Sequence, residues 1–243
     1  MIQSVERAIA ILRCFEDRDE LGVTEISEIT GLNKSTAFGL INTLRKEKFL
    51  QSDEKTGRLK LGLGLFRLSV NVKLDLKNIC APYINELLQT TKETVNLVIR
   101  DEDNVVYIEK KESPYSMRIS TRIGQQLPLY CTAVGKAILA FLRDDEIQEY
   151  IGRVRLKPFT DKTLKSKKEL HEQLIRIRNE GYAYDIEELE NGVICVAVPL
   201  LSWERIPVGG LSISGPSTRM TPEKRGEIRD LLLALATQIN LKI

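Results

Sequence analysis

Apolar and polar positions recur along this chain with two different periods, and the changes of period mark its elements. From Gln3 to Phe15, the residues Val5, Ala8, Ile9, Leu12 and Phe15 return at helical spacing and predict one amphipathic helix. An acidic loop follows, and LGVTEISEITGL then predicts a short second helix. It carries Ile26 and Ile29, with Thr24 as its cap and Gly31 as its stop, a site where left-handed backbone costs little. A third helix is expected from near Asn33–Ser35, with Ala37, Leu40, Ile41 and Leu44 as its buried stripe and Phe38, Asn42, Arg45 and Lys46 off it. The period then drops to two. Phe49–Ser52 and Arg58–Leu61 read as strands joined by the turn DEKTG, with Leu59 and Leu61 alternating against Arg58 and Lys60. Three short helices and a hairpin predict a winged helix-turn-helix over residues 1–62. The segment GLGLFRLSVNVKL predicts a linker helix over 63–76.

Residues 77–243 mix the two periods. Helices are expected over Asp75–Thr91 (interrupted or started by Pro82), CTAVGKAILAFL, Ser166–Asn179 and Thr221–Ile239. A hairpin is expected around Asp101–Asn104, and strands at SMRIST, YAYDIEE, GVICVAVPLLS and PVGGLSISG. Such an order argues for an α+β sheet domain.

Composition alters this picture at one point. The chain has 42% hydrophobic and 29% charged residues and a net charge of only +2, so any surface for nucleic acid must be local. The charge is indeed split. Residues 1–32 carry three arginines against seven acidic residues, whereas 33–67 carry eight basic residues against three acidic ones. The positive charge therefore sits on the third helix and the wing, the elements of a winged helix that meet DNA. Lys34, Ser35 and Thr36 at the helix start suit phosphate oxygens, as do Arg45, Lys46, Lys55, Arg58 and Lys60. Phe38, Asn42 and Thr43 are placed to reach base edges. A plain solvated basic face would show the same charges, and it is the coupling to a helix-turn-helix pattern that favours DNA.

The four cysteines are widely spaced, with no metal-binding or disulfide pattern, and no cofactor is implied. No apolar run approaches the roughly 18 residues of a membrane span, and the N-terminal segment lacks a secretory pattern, so the cytoplasm is the expected location. His171, the sole histidine, lies in a charged helix, which leaves a Cys–His or Ser–His scheme without support. In TAVGKA, Thr132 caps a helix and would leave the amides of Ala133, Val134 and Gly135 facing a ligand carboxylate. Plain capping with tight helix packing accounts for the same residues. Cys195, taken alone, reads as a packing cysteine, while Ser212 and Ser214 share one strand face.

SVERAIAILRCF, VTEISEITGLNKSTAFGLINTLRKEKFL and the wing resemble the N-terminal domain of the IclR family of bacterial transcription regulators. GQQLPLYCTAVGKAILA, GYAYDIEELENGVICVAVPL and VGGLSISGP resemble its effector-binding domain, so the likeness spans essentially the whole chain. The resemblance implies a GAF-like mixed α/β sensor domain over 77–243, a homodimer or homotetramer, a pseudo-palindromic double-stranded DNA operator, and control by a small molecule. It carries ligand contacts onto Ala133, Val134, Asp185, Val193, Cys195, Ser212 and Ser214, with a contribution from the strand at Ile119. The sequence departs from the family at Gly39, where an arginine often precedes the Leu-Leu pair. The function expected is a ligand-responsive DNA-binding regulator of a catabolic operon, answering to a small carboxylic acid. The alternatives are a GAF-like cysteine redox enzyme, using Cys131 and Cys195, and an interaction adaptor whose DNA-binding domain has degenerated.

Overall fold

The computed structural model describes residues 2–70, 72 and 75–243. The chain divides into two compact units, 1–74 and 75–243.

In the first unit, α1 (Gln3–Arg13), α2 (Val23–Thr30) and α3 (Lys34–Lys46) precede the antiparallel pair β1 (Leu50–Ser52) and β2 (Leu59–Leu61), and α4 (Leu63–Ser69) follows. Local chemistry sets the joints. Gly31 ends α2 in the left-handed region, at φ 68°. Two residues on, the Asn33 side chain accepts the Thr36 amide at 2.8 Å and starts α3. At the wing turn, Asp53 Oδ1 accepts the amides of Lys55 and Thr56, and Gly57 takes φ 67°. Ile11, Phe15, Ile26, Ala37, Ile41, Leu44, Leu50 and Leu59 form the core.

Three expectations shift here. The buried positions are Ile11 and, just past α1, Phe15, with Ala8 and Leu12 half-buried; Ile9, about 160° round the helix from Ile11, is exposed, and so is Val5. Thr24 sits inside α2, whose first turn is held instead by the Glu25 carboxylate accepting the Gly22 amide at 2.6 Å. The linker helix expected over 63–76 is α4 at Leu63–Ser69, and Asn71, Lys73 and Leu74 of that expectation lie outside the described residues.

The second unit opens with α5 (Asp75–Thr91), which continues through Pro82. Then come β3 (Thr94–Asp101), β4 (Asn104–Lys111), β5 (Gln126–Pro128), a 3-10 turn at Leu129–Cys131, α6 (Ala133–Ala140) and α7 (Asp144–Arg153). The remainder is α8 (Lys167–Glu180), β6 (Ala183–Ile186), β7 (Val193–Leu201), β8 (Pro207–Pro216) and α9 (Pro222–Asn240). The six strands form one antiparallel sheet in the order β5-β4-β3-β8-β7-β6. Helices α5 and α9 cover one face, and α6, backed by α8, covers the other. This is the α+β class expected. Along β7, Cys195 and Ala197, two positions apart, pack on the α6 side of the sheet.

Two readings fail. Ser116–Thr121 is not a strand, because the outer edge of β4 is already taken by Gly124–Pro128. Helix α7 was not anticipated at all. Among the described residues, no helix is long and apolar enough to cross a membrane.

Candidate functional site

On the first unit, Lys34, Ser35, Phe38, Gly39, Thr43, Arg45 and Lys46 are exposed along one side of α3. Phe38 is 54% exposed, a large apolar ring turned to solvent on a basic helix. Several of the polar groups expected to contact DNA are engaged within the helix. Ser35 Oγ donates to the Asn33 cap at 2.9 Å, Thr43 Oγ1 donates to the Gly39 carbonyl at 3.1 Å, and Arg45 reaches Asn42 Oδ1 at 3.5 Å. Thr36 is half-buried and gives its amide to the cap.

On the wing, Lys55 is exposed and Lys60 half-buried. Arg58 differs from both. Its Nη2 donates to Glu25 Oε2 at 2.7 Å and to the Glu20 carbonyl at 3.2 Å, so it ties the wing to α2 rather than projecting as a loose cation. A shallow groove between α3 and the wing is lined by Asn42, Arg45, Lys46, Lys48 and Gln51. Sequence reasoning left Lys48 out of the contact set. It is an exposed cation at φ 62° in the turn from α3 to β1. Beyond its chain neighbours and the backbone of α3 itself, no described residue has a heavy atom within 4 Å of where a side chain at Gly39 would begin, so α3 carries a bare notch at mid-helix.

On the second unit, a cavity of about 200 Å³ lies between the α6 N-terminus and the sheet. For scale, an apolar void of about 150 Å³ accepts benzene. Ile119, Ala133, Val134, Asp185, Val193, Cys195, Ser212 and Ser214 all line it, together with Tyr107, Thr121 and Gln125. Gly135 does not. Its amide closes the cap on Thr132 Oγ1 at 3.1 Å, which corrects the reading that three amides face the cavity. A side chain at 135 would come within 2.5 Å of the Leu129 carbonyl, so that glycine is there for packing. Ala133 and Val134 keep first-turn amides with no acceptor among the described residues, next to the positive helix end.

The floor of the cavity is a buried polar row, in which sequence reasoning had Ser212 and Ser214 but missed Asn96 and Thr121. Asn96 on β3 donates to Ser212 Oγ at 3.4 Å and Ser214 Oγ at 3.2 Å, and accepts from Thr121 Oγ1 at 2.8 Å. Cys195 Sγ donates to Ser214 Oγ at 3.1 Å. The outer wall, Ile119–Gln125, is held by Lys110 on the Thr121 carbonyl. Arg219 adds a further hold, bonding the Met117 carbonyl at 2.9 Å while paired to the buried Glu93.

Charge at the far end is also buried. Asp185 is 3% exposed, and burial, then the neighbouring Glu188 charge, raise its pKa to about 7. Its Oδ1 accepts the Glu188 amide at 2.7 Å. Lys136, fully buried in α6, pairs with Glu188 and donates to Gln173 Oε1 at 2.9 Å. Burial pushes the Glu188 carboxyl up, and its Oε2 has no partner among the described residues. Burial also pushes the Cys131 thiol up to about 12 and the Cys195 thiol well up, so neither is a thiolate near neutral pH. A lysine in the apolar helix AVGKAILA and an asparagine in TVNLV were the available signals for these two buried networks.

A separate open depression between α7 and α8 contains His171, Asp144 and Arg178, the last two paired at 2.6 Å. Among the described residues, no group of three His, Cys, Asp or Glu side chains could hold a metal ion.

Comparison with known proteins covers both units. The IclR helix-turn-helix domain matches residues 4–54, and the bacterial transcriptional regulator IclR C-terminal domain matches residues 68–241. The HTH-type transcriptional regulator KdgR of Escherichia coli K12 is 34% identical over 244 residues, covering 100% of this chain and 93% of that protein. The crystal structure of the Thermotoga maritima IclR superposes with a TM-score of 0.81 at 33% identity, covering 100% of this chain and 99% of that one. An IclR homolog from Microbacterium hydrocarbonoxydans, crystallised with 4-hydroxybenzoate, shares the fold with a TM-score of 0.87 at 20% identity, covering 98% of each chain.

Proposed function

Given that the chain belongs to the IclR family of bacterial transcriptional regulators, we propose that its cavity binds a small carboxylic acid and that the bound acid controls the meeting of α3 and the wing with operator DNA. One observation carries the choice of ligand. Ala133 and Val134, whose helix-start amides have no acceptor among the described residues, line one small cavity together with Ser212 and Ser214. Donors in that number suit an anion's oxygens. Val193 and Cys195 supply an apolar wall, and Asp185 at the far end offers an acceptor to a ligand hydroxyl. The 4-hydroxybenzoate bound by the Microbacterium protein has an acid end and a hydroxyl end of this kind.

For the DNA, the acceptor is a pseudo-palindromic operator, read by a homodimer or homotetramer and serving a catabolic operon. Lys34, Arg45, Lys46, Lys48, Lys55 and Lys60 meet phosphates, while Phe38 and Asn42 meet base edges. The redox-enzyme alternative falls away, because the relatives are transcriptional regulators and neither the Cys131 nor the Cys195 thiol ionises readily.

The test is a thermal-shift screen of hydroxy acids, keto acids and sugar acids against their matched amides, followed by footprinting with and without the best ligand. Acids should stabilise in proportion to the logarithm of their concentration and change the footprint. Equal stabilisation by the amides would remove the anion argument. An absent footprint on the promoter beside its own gene would favour the adaptor reading.

A further inference from the structure

We propose that Asn96 is a positioning residue that turns the hydroxyl hydrogens of Ser212 and Ser214 into the cavity, making its floor a surface of hydrogen-bond donors. The argument is one of donor and acceptor counting. Asn96 is fully buried on β3, directly opposite Ser212 in β8. Its NH₂ group can only donate, and both serine oxygens lie on that side, at 3.4 and 3.2 Å. Its carbonyl can only accept, and Thr121 Oγ1 supplies a hydrogen there at 2.8 Å. A serine hydroxyl has two lone pairs and one hydrogen. At Ser214 both lone pairs are in use, one by Asn96 and one by Cys195 Sγ at 3.1 Å. The hydrogen is what remains. Among the described residues, neither serine hydroxyl donates to a protein group, and both line the cavity.

A hydroxyl that was free to rotate would serve an acid or an amide equally. Held by Asn96, it serves acceptors, and a carboxylate offers the most. The residue thus sets ligand class without touching ligand, and through Thr121 it also fastens the outer wall to the floor. The consequence for ligand choice rests on the carboxylic-acid reading above, whereas the placement of the hydrogens does not.

Two measurements decide it. Neutron diffraction from deuterium-exchanged crystals of the whole chain should show deuterium on both serine oxygens pointing away from Asn96. Deuterium lying between either serine oxygen and Asn96 would mean the amide is reversed, and the proposal fails. Calorimetric titration with 4-hydroxybenzoate and 4-hydroxybenzamide should compare the native chain with Asn96→Leu and Asn96→Asp, each checked for an intact unfolding transition. The native preference for the acid over the amide should shrink by about fivefold or more in Asn96→Leu, since the hydroxyls can then turn either way. In Asn96→Asp the serine hydrogens are captured by the new carboxylate, and acid binding should fall by about tenfold or more. Equal weakening of acid and amide by Asn96→Leu would assign a packing role only and overturn the proposal. If the native chain binds neither compound, support for the acid reading falls, and the deuterium positions still decide the role of Asn96.

Discussion

Replacing Asp185 by Asn should stabilise the protein most at and above neutral pH, the gain shrinking through mild acid and vanishing near about pH 4. The carboxyl is 3% exposed, and burial with the Glu188 charge raises its pKa from 3.8 to about 7. Cys195, Cys131 and Tyr107 also face it, and Lys136 offers partial relief. A rise of that size corresponds to about 4 kcal/mol against the charged form in the folded state. Between about pH 4 and pH 7 the folded protein holds a proton that the unfolded chain has lost, so native stability falls as pH rises through that window. Asparagine keeps the acceptor that holds the Glu188 amide and carries no charge. The gain at about pH 8 should therefore lie between about 1 and 4 kcal/mol, relaxation taking up the difference. For a unit of this size that is a rise in melting temperature of about 2 to 16 °C. Calorimetric melting at about pH 5, 6, 7 and 8 should show the two proteins converging as pH falls. A difference that is constant with pH, or a loss of stability at pH 8, would refute the assignment of a strained carboxylate.

Two glycines should respond in opposite ways to alanine. Gly39→Ala, with open space at its position inside α3, should add about 1 kcal/mol, while Gly135→Ala, pressed against Leu129 and Thr132, should cost more than about 2 kcal/mol; denaturant titration measures both. Lys136→Met leaves Glu188 buried without its cation and should cost about 3–5 kcal/mol, and adding Glu188→Leu should recover most of it. In DNA titrations across salt concentrations, Lys55→Ala should reduce the salt slope by about one. Arg58→Ala should change the slope less and lower the melting temperature of the first unit slightly, because its guanidinium is held by Glu25 and Glu20; equal slopes for the two variants would refute the distinction.

What could be read from the sequence was mostly what the chain decides locally. The caps at Asn33, Thr132, Ser166 and Thr221 each accept the amide three residues on, and an acceptor at that spacing is visible in the sequence. The continuous apolar run of β7 and the alternating LSISG of β8 were equally plain. Helix α7 was missed because only Ile147 and Tyr150 of its ten residues are buried, too few to show a stripe. Ser116–Thr121 has the alternation of a strand, but the outer edge of β4 is taken by Gly124–Pro128, a fact of sheet order that no local pattern carries. The eight lining positions came from family resemblance, and the structure brings them to one cavity. Asn96 escaped because its meaning depends on serines 116 and 118 positions away, and Arg58 looked unengaged because its acidic partner is 33 positions back.

The pairing of Asn96 with Ser212 and Ser214 also orders events in time. β3 and β4 form a hairpin closed between Asp101 and Asn104, and can assemble as soon as they are synthesised. The other neighbour of β3 is β8, so the floor of the cavity waits for nearly the whole chain. A nascent or stalled chain that stops before Ser214 has no floor for an effector to grip. On the function proposed above, a ligand of this cavity acts only on chains that have reached Ser214, and shorter chains are blind to it.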